Sequence, residues 1–276
     1  EWSHLKDGPA TVPAAEFAHM AQFFTAPAYE LGLNRNDPVY TAQLAAEPAF
    51  ARWVARNTRE HKVAGYRIVT LSLKATGVPP GDATADQLDA VADWADAYSF
   101  GELRVSHEQN LILADVRETD LLALWEKARA AGFATPNIGL LSDIICCPGG
   151  DFCSLANAKS IPIAAAVQKR FDDLDYQHDI GELDLNMSGC MNACGHHHIG
   201  HIGILGVDKQ GSEWYQVSIG GSQGEHASLG KVIGPSFAQD AMPDVIEKII
   251  SVYLTQRHAD ERFIDTARRI GIDPFK

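Results

Sequence analysis

A chain of 276 residues predicts about two domains, and 46% hydrophobic against 21% charged residues is the profile of a globular protein, not a disordered scaffold. No apolar stretch approaches the roughly 20 residues of a membrane helix and no signal-peptide pattern is present, so the reading excludes a membrane span. A net charge of −13 argues against nucleic acid, whose phosphates demand a surplus of Lys and Arg.

Residues 1–60 are Ala-rich. Helices are predicted over 16–24 and 42–54, separated by Pro27, Gly32 and Pro38. No motif there connects to chemistry, and the segment reads as a helical linker with covering helices. The chain begins Glu1-Trp2-Ser3 without Met, and the expectation is a piece of something longer.

Residues 61–135 are more regular. The stretch 67–74 alternates, with Val69, Leu71 and Leu73 on one face, as a strand does. After the turn Pro79-Pro80-Gly81-Asp82, Thr84 and Gln87 form a capping box. They open a helix with Leu88, Val91, Ala92 and Ala95 on one face. Short strands are predicted over 102–106 and 110–114. An amphipathic helix carrying Leu121, Leu124, Trp125 and Ala128 then ends at Gly132. Strand, helix, strand, strand, helix is most of a ferredoxin-like unit, and the fold class is α+β.

From 136 to 276 the texture changes to glycines, cysteines and histidines. A helix is predicted over 153–171, with Pro162 marking a break or a fresh start. Strands are predicted over 183–187, 199–205 and 214–219. Pro243 begins a helix that buries Val245, Ile246, Ile249, Ile250 and Tyr253, and a last helix runs over about 260–270.

All five cysteines, Cys146, Cys147, Cys153, Cys190 and Cys194, fall within 49 residues. An odd, clustered set reads as metal or redox chemistry in a reducing compartment, not as a disulfide framework. The pattern is C-x5-C, a long gap, then C-x3-C. Four thiolates can hold zinc or an iron–sulfur cluster. Zinc knuckles have two to four intervening residues, so the first pair favours a cluster while zinc stays open. Gly149, Gly150, Gly189 and Gly195 let backbone bend around a bulky inorganic core.

The run Cys146-Cys147-Pro148-Gly149-Gly150-Asp151-Phe152-Cys153, with Ser188-Gly189-Cys190-Met191-Asn192-Ala193-Cys194-Gly195, resembles the nitrite and sulfite reductase haemoproteins, nearest to the sulfite reductase branch. Residues 71–82 and Arg104-Val105-Ser106-His107-Glu108-Gln109-Asn110 resemble that family's ferredoxin-like half-domain. The stretch to Ile272-Asp273-Pro274-Phe275 fits as well, so the resemblance covers 60–276. Beside the helical segment 1–60 read from its composition, it implies a half-domain 61–135 and a cofactor domain 136–276.

It also implies a 4Fe–4S cluster on Cys147, Cys153, Cys190 and Cys194, with Cys194 shared as axial ligand of a sirohaem iron. Ser188 and Asn192 lie in the turn that would face the macrocycle, and Cys146 is a buried spectator. The implied activity is six-electron reduction of sulfite to sulfide in assimilation, or of nitrite to ammonia. The implied partners are a ferredoxin or flavoprotein electron donor and a small anionic substrate, and the implied location is cytoplasmic.

A polycarboxylate cofactor and an anionic substrate need several Arg and Lys residues. Near the cysteines only Lys159, Lys169 and Arg170 are found, with Arg104 upstream. The expectation is therefore a C-terminal half, inactive alone, whose N-terminal half supplies the missing cations. A cluster-only electron-transfer module and a structural zinc domain are the other readings.

His196, His197, His198 and His201 are read on a strand, where neighbours point to opposite faces. Packing beside the cysteines is preferred to a metal site. The run Gly220-Gly221-Ser222-Gln223-Gly224 lacks a P-loop Lys and reads as a hairpin loop. Asp172 and Asp173 read as a solvated helix end.

Overall fold

The computed structural model describes residues 3–276 in two units, the first ending at Leu33 and the second Asn34–Lys276. The first holds a short 3-10 turn and helix α1 (Ala14–Ala21), which follows Pro13. The helix expected over 16–24 stops three residues early. Phe23 and Phe24 leave the α pattern and bond back three residues, to Met20 and Ala21.

In the second unit, the single helix expected over 42–54 is two: α2 (Pro38–Ala46) and α3 (Pro48–Asn57). Proline at 48 has no N–H to continue a helix but is well placed to start one. Glu47 closes α2 through its N–H to Gln43 O and opens α3 by accepting from Ala49 N–H. These helices do more than cover. Phe50 and Trp53 of α3 are fully buried, with the Phe50 and Trp125 rings 5.6 Å apart. Burying each such side chain is worth about 2–3 kcal/mol.

The first sheet contains β1 (Thr58–Glu60), β2 (Tyr66–Leu71), β3 (Arg104–Val105) and β4 (Leu111–Arg117), in the order β1-β2-β4-β3 and antiparallel throughout. Helix α4 (Ala85–Tyr98) carries the expected box, with Thr84 and Gln87 bonded reciprocally. Helix α5 (Leu121–Ala130) ends before Gly132, whose φ is +83°. The ferredoxin-like order thus holds, and the edge beside β2 is filled from upstream by β1. Val69, Leu71, Val91, Leu113, Leu121 and Leu124 form the core beneath it.

The second sheet runs β5-β6-β7-β8-β9: β5 (Ile145–Cys146), β6 (Leu185–Ser188), β7 (Ile202–Lys209), β8 (Ser212–Ile219) and β9 (Lys231–Val232). Strands β5, β6 and β7 are parallel and the rest antiparallel. Helices α6 (Ile161–Arg170), α8 (Met242–Gln256) and α9 (Phe263–Ile270) pack on its core, and α7 (Leu174–Ile180) precedes β6. Asp173 caps α7, accepting from Asp175 and Tyr176 N–H, so it opens a helix instead of merely ending one.

Two departures from the sequence reading bear on the site. The helix expected from 153 begins at Ile161, because Asn157 and Ala158 spend their N–H groups on Gly189 O of another loop. The strand expected from 199 begins at Ile202. Its histidines lie on a left-handed residue, His196 (φ 53°), and on a 3-10 turn, His197–Ile199.

A buried polar seam joins the two sheets. Ser72 donates to Asn137 (2.7 Å), Asn137 to Ser142 (3.0 Å) and Asn110 to Asp143 (3.0 Å). Lys74 reaches Glu108 O and Asp143. Burial lowers the Lys74 pKa from its ordinary value, and the Asp143 carboxylate opposes that shift.

Candidate metal centre

Parallel strands leave side by side at the same end of a sheet, so β5 and β6 deliver their following loops to one place. The first loop carries Cys147 and Cys153, the second Cys190 and Cys194. The loops are knitted together. Gly189 O accepts from Asn157 (2.9 Å) and Ala158 (3.1 Å), and Gly150 N–H donates to Ala158 O (2.9 Å). A Cβ on Gly189 would lie 2.7 Å from Gly149 Cα, so only glycine allows this approach. The second turn is tight as well. Ala193 takes the left-handed conformation at φ 57°, a costly one for a residue with a Cβ.

The thiols differ in surroundings. Cys190 is buried, Cys147 and Cys153 are half-buried, Cys194 is exposed, and none is in a disulfide. Gly189 N–H points at Cys147 Sγ from 3.0 Å. Such a donor stabilises negative charge on sulfur, as metal-bound thiolates require. Among the described residues, no three His, Cys, Asp or Glu side chains converge closely enough to hold one metal ion. Zinc needs its four sulfurs about 2.3 Å from a single centre, whereas a cubane stands its ligands apart around an inorganic core. Four thiols on two interlocked glycine loops supply the donor set that either group uses.

Cys146 belongs elsewhere. It sits in β5, 3% exposed, within the second core, and burial pushes its thiol up to about 12. Ser188 is also buried, and its hydroxyl accepts Gly195 N–H at 3.1 Å. It braces the second turn from inside instead of facing outward, because a buried hydroxyl satisfies the nearest orphan donor. Asn192 is exposed. Phe152, Leu155 and Met191 on the same loops are apolar and 71–82% exposed.

The four histidines do not converge. The His197 and His198 rings lie 3.9 Å apart. His197 is buried and its pKa falls to about 4, through burial and then the neighbouring His198. Near His201, Asp184 N–H donates to the ring Nδ1 (3.1 Å).

The cations are distributed differently from the sequence reading. Arg170 is ion-paired to Asp244 and Glu247, and Arg104 to Glu102. Arg56, Arg59, Arg262 and Arg268, unmarked by any motif, line a cavity of about 530 Å³ with Asp184 and His201. Asp184 and His201 precede β6 and β7, so this cavity lies toward the end of the sheet away from the cysteine loops. Only the meeting of β1 with the second sheet reveals it. Gln109, which bonds both backbone groups of Cys146, was likewise visible only as part of a motif.

Comparison with known proteins assigns both sheets to known domains. The "Nitrite and sulphite reductase 4Fe-4S domain" model matches residues 140–276, and the "Nitrite/Sulfite reductase ferredoxin-like half domain" model matches 65–131. The chain is 29% identical over 220 residues to a ferredoxin–nitrite reductase of Synechococcus elongatus, covering 76% of this chain and 41% of that protein. It is 27% identical over 224 residues to sulfite reductase [ferredoxin] 2 of Mycolicibacterium paratuberculosis, covering 77% and 40%. Among solved structures, the NirA protein of Mycobacterium tuberculosis matches with a TM-score of 0.65 at 25% identity, over 80% of this chain and 41% of that one. A dissimilatory sulfite reductase I shares the fold, with a TM-score of 0.60 at 13% identity, over 76% of this chain and 68% of that one. The chain thus spans about 40% of the length of these curated relatives. The two domain models in succession, over a ferredoxin-like sheet and a sheet ending in four cysteines, show that the chain belongs to the nitrite/sulfite reductase family.

Proposed function

We propose that this chain carries the 4Fe–4S and sirohaem site of an assimilatory reductase that takes sulfite to sulfide. The observation that carries the reading is the placement of Cys147, Cys153, Cys190 and Cys194 on two interlocked loops at one end of β5 and β6. These four thiolates would hold the cluster, and Cys194, the exposed one, would also serve the sirohaem. A cluster joined to sirohaem through one thiolate supplies the successive electrons that a single bound anion needs for six-electron reduction.

The chain's own residues fix the geometry. Gly189 N–H holds negative charge on the Cys147 sulfur. Ser188 locks the turn bearing Cys194 through Gly195. Asn192 is exposed in that turn, where it would contact the macrocycle, and the exposed Phe152, Leu155 and Met191 on the same loops offer apolar surface to the ring. The arginine-lined cavity lies elsewhere, so the cations beside Cys194 belong to a further half of the enzyme, as the relatives' greater length supports.

The reading divides the chain into 1–60, 61–135 and 136–276. It takes ferredoxin as electron donor, by similarity to relatives named for it. It places the protein in the cytoplasm, where five unpaired cysteines stay reduced. Among the described residues no helix is long and apolar enough to cross a membrane. Reduction of nitrite to ammonia is the second reading, favoured by the Synechococcus relative.

The test is anaerobic purification with assay of iron, acid-labile sulfide and visible absorbance, followed by sulfite and nitrite turnover with reduced ferredoxin. Iron and sulfide with a haem-like band and sulfite turnover support the proposal. Iron and sulfide without that band make the protein an electron-transfer module, and a colourless zinc protein defeats both.

A further inference from the structure

The loop between β3 and β4 is anchored at three consecutive residues. Glu108 O accepts from Lys74 Nζ at 2.6 Å. Asn110 donates to Asp143 (3.0 Å) and accepts from Leu73 N–H (3.0 Å). Between them Gln109, at φ 60°, sends its side chain to the other sheet. Its Nε2 donates to Cys146 O and its Oε1 accepts from Cys146 N–H, both at 2.8 Å.

The receiving strand explains why an amide is needed. β5 is an edge strand of two residues. Its inner side pairs with β6, and Cys147 N–H donates to Met187 O at 3.1 Å. On the outer side the N–H and C=O of Cys146 point away from the sheet, and the Gln109 amide takes the place of a missing strand. A side-chain amide offers one donor and one acceptor at the spacing of a peptide. Asparagine is one methylene shorter, leucine offers neither group, and an ionised glutamate cannot donate. Gly81 gives the side chain room, since a Cβ there would lie 3.0 Å from Gln109 Cβ.

We propose that Gln109 is a positioning residue for the cluster, through which the ferredoxin-like unit sets the place of the Cys147 thiolate. This rests on the ligand assignment proposed above. The Cys146 peptide leads directly into Cys147, whose sulfur receives Gly189 N–H at 3.0 Å. Moving that peptide changes the N–H···S contact, and hydrogen bonds to the sulfurs tune a cluster's potential.

The test compares Gln109→Leu and Gln109→Glu in the full chain, purified anaerobically with its cluster. Val116→Ala is the control, a buried change in the same unit away from the cysteine loops. The Gln109 variants are expected to shift the reduced-to-oxidised ratio of the cluster at fixed potential about tenfold, about 59 mV for a one-electron couple. They are also expected to release iron to a chelator about tenfold faster. Val116→Ala lowers the melting temperature and leaves both readouts unchanged. If Gln109→Leu does not fold, Gln109→Glu, which keeps the acceptor for Cys146 N–H, carries the comparison. Wild-type potential and release rate in a folded Gln109 variant overturn the inference, as does an equal shift in Val116→Ala. Absence of iron and sulfide from the wild-type protein overturns the cluster reading itself, a result separate from the behaviour of Gln109.

Discussion

Replacing Gly195 by alanine tests how tightly the Cys194 turn is fastened to β6. An added Cβ would overlap the carbonyl oxygen of Met187 and lie 2.7 Å from its carbonyl carbon. Carbon–carbon contacts settle at about 3.5–4.0 Å, so the turn must retreat by about 1 Å. That retreat breaks the Gly195 N–H bond to Ser188 Oγ (3.1 Å) and strains the Asn186 bond to His196 O (3.1 Å). Overpacking costs about 1–3 kcal/mol and a lost hydrogen bond about 1 kcal/mol, giving roughly 3 kcal/mol. For a chain of this size that lowers the melting temperature by roughly 6–12 °C. Gly195 is not among the positive-φ glycines, so the penalty is steric alone. Gly234 shares that feature but has open space around its Cβ position, which makes Gly234→Ala the matched control. Thermal melts of metal-free protein decide the matter. A Gly195→Ala shift within about 2 °C of Gly234→Ala would refute the reasoning.

Serine at Cys147, Cys153, Cys190 or Cys194 should abolish cluster content measured as iron and acid-labile sulfide. Cys146→Ala should keep it and cost only about 1 kcal/mol, as a small buried hydrophobe. Thr84→Ala removes the reciprocal cap of α4 and should cost about 1 kcal/mol, seen as a drop of roughly 2–4 °C in the melt. His197, with its pKa lowered to about 4, is neutral in the fold but protonates in the unfolded chain near pH 6.5. Its contribution to stability is therefore full above pH 6.5 and is lost as pH falls toward 4. Melts of metal-free His197→Gln across that range should show a flatter pH dependence than wild type, and an unchanged slope would count against the assignment.

Much of the first sheet was legible because its signals are local. Alternation in β2, the Thr84–Gln87 box and Gly132 each depend on residues a few positions apart. The split of α2 from α3 was legible too, in Pro48, which starts a helix, and Glu47, which caps it. The loop at 153–160 was a different kind of miss. Its helical spacing is real, but its N–H groups are claimed by Gly189 O, a partner some thirty residues away in sequence.

The candidate site divides along the same line. The sequence by itself determined the candidate donor atoms: four thiols in two spaced pairs, and the glycines that let backbone approach them. It also determined that the chain is short of positive charge near those thiols. Only the tertiary structure decided that β5 and β6 are parallel neighbours, which brings both loops to one end of the sheet. It decided that Ser188 faces inward to Gly195, that four arginines meet at a cavity away from the cysteines, and that Gln109 closes the open edge of β5. Side-chain chemistry is written residue by residue, whereas convergence depends on which backbone groups pair across long separations. Those pairings are won by competition among all available donors and acceptors, and no local window of sequence contains that competition.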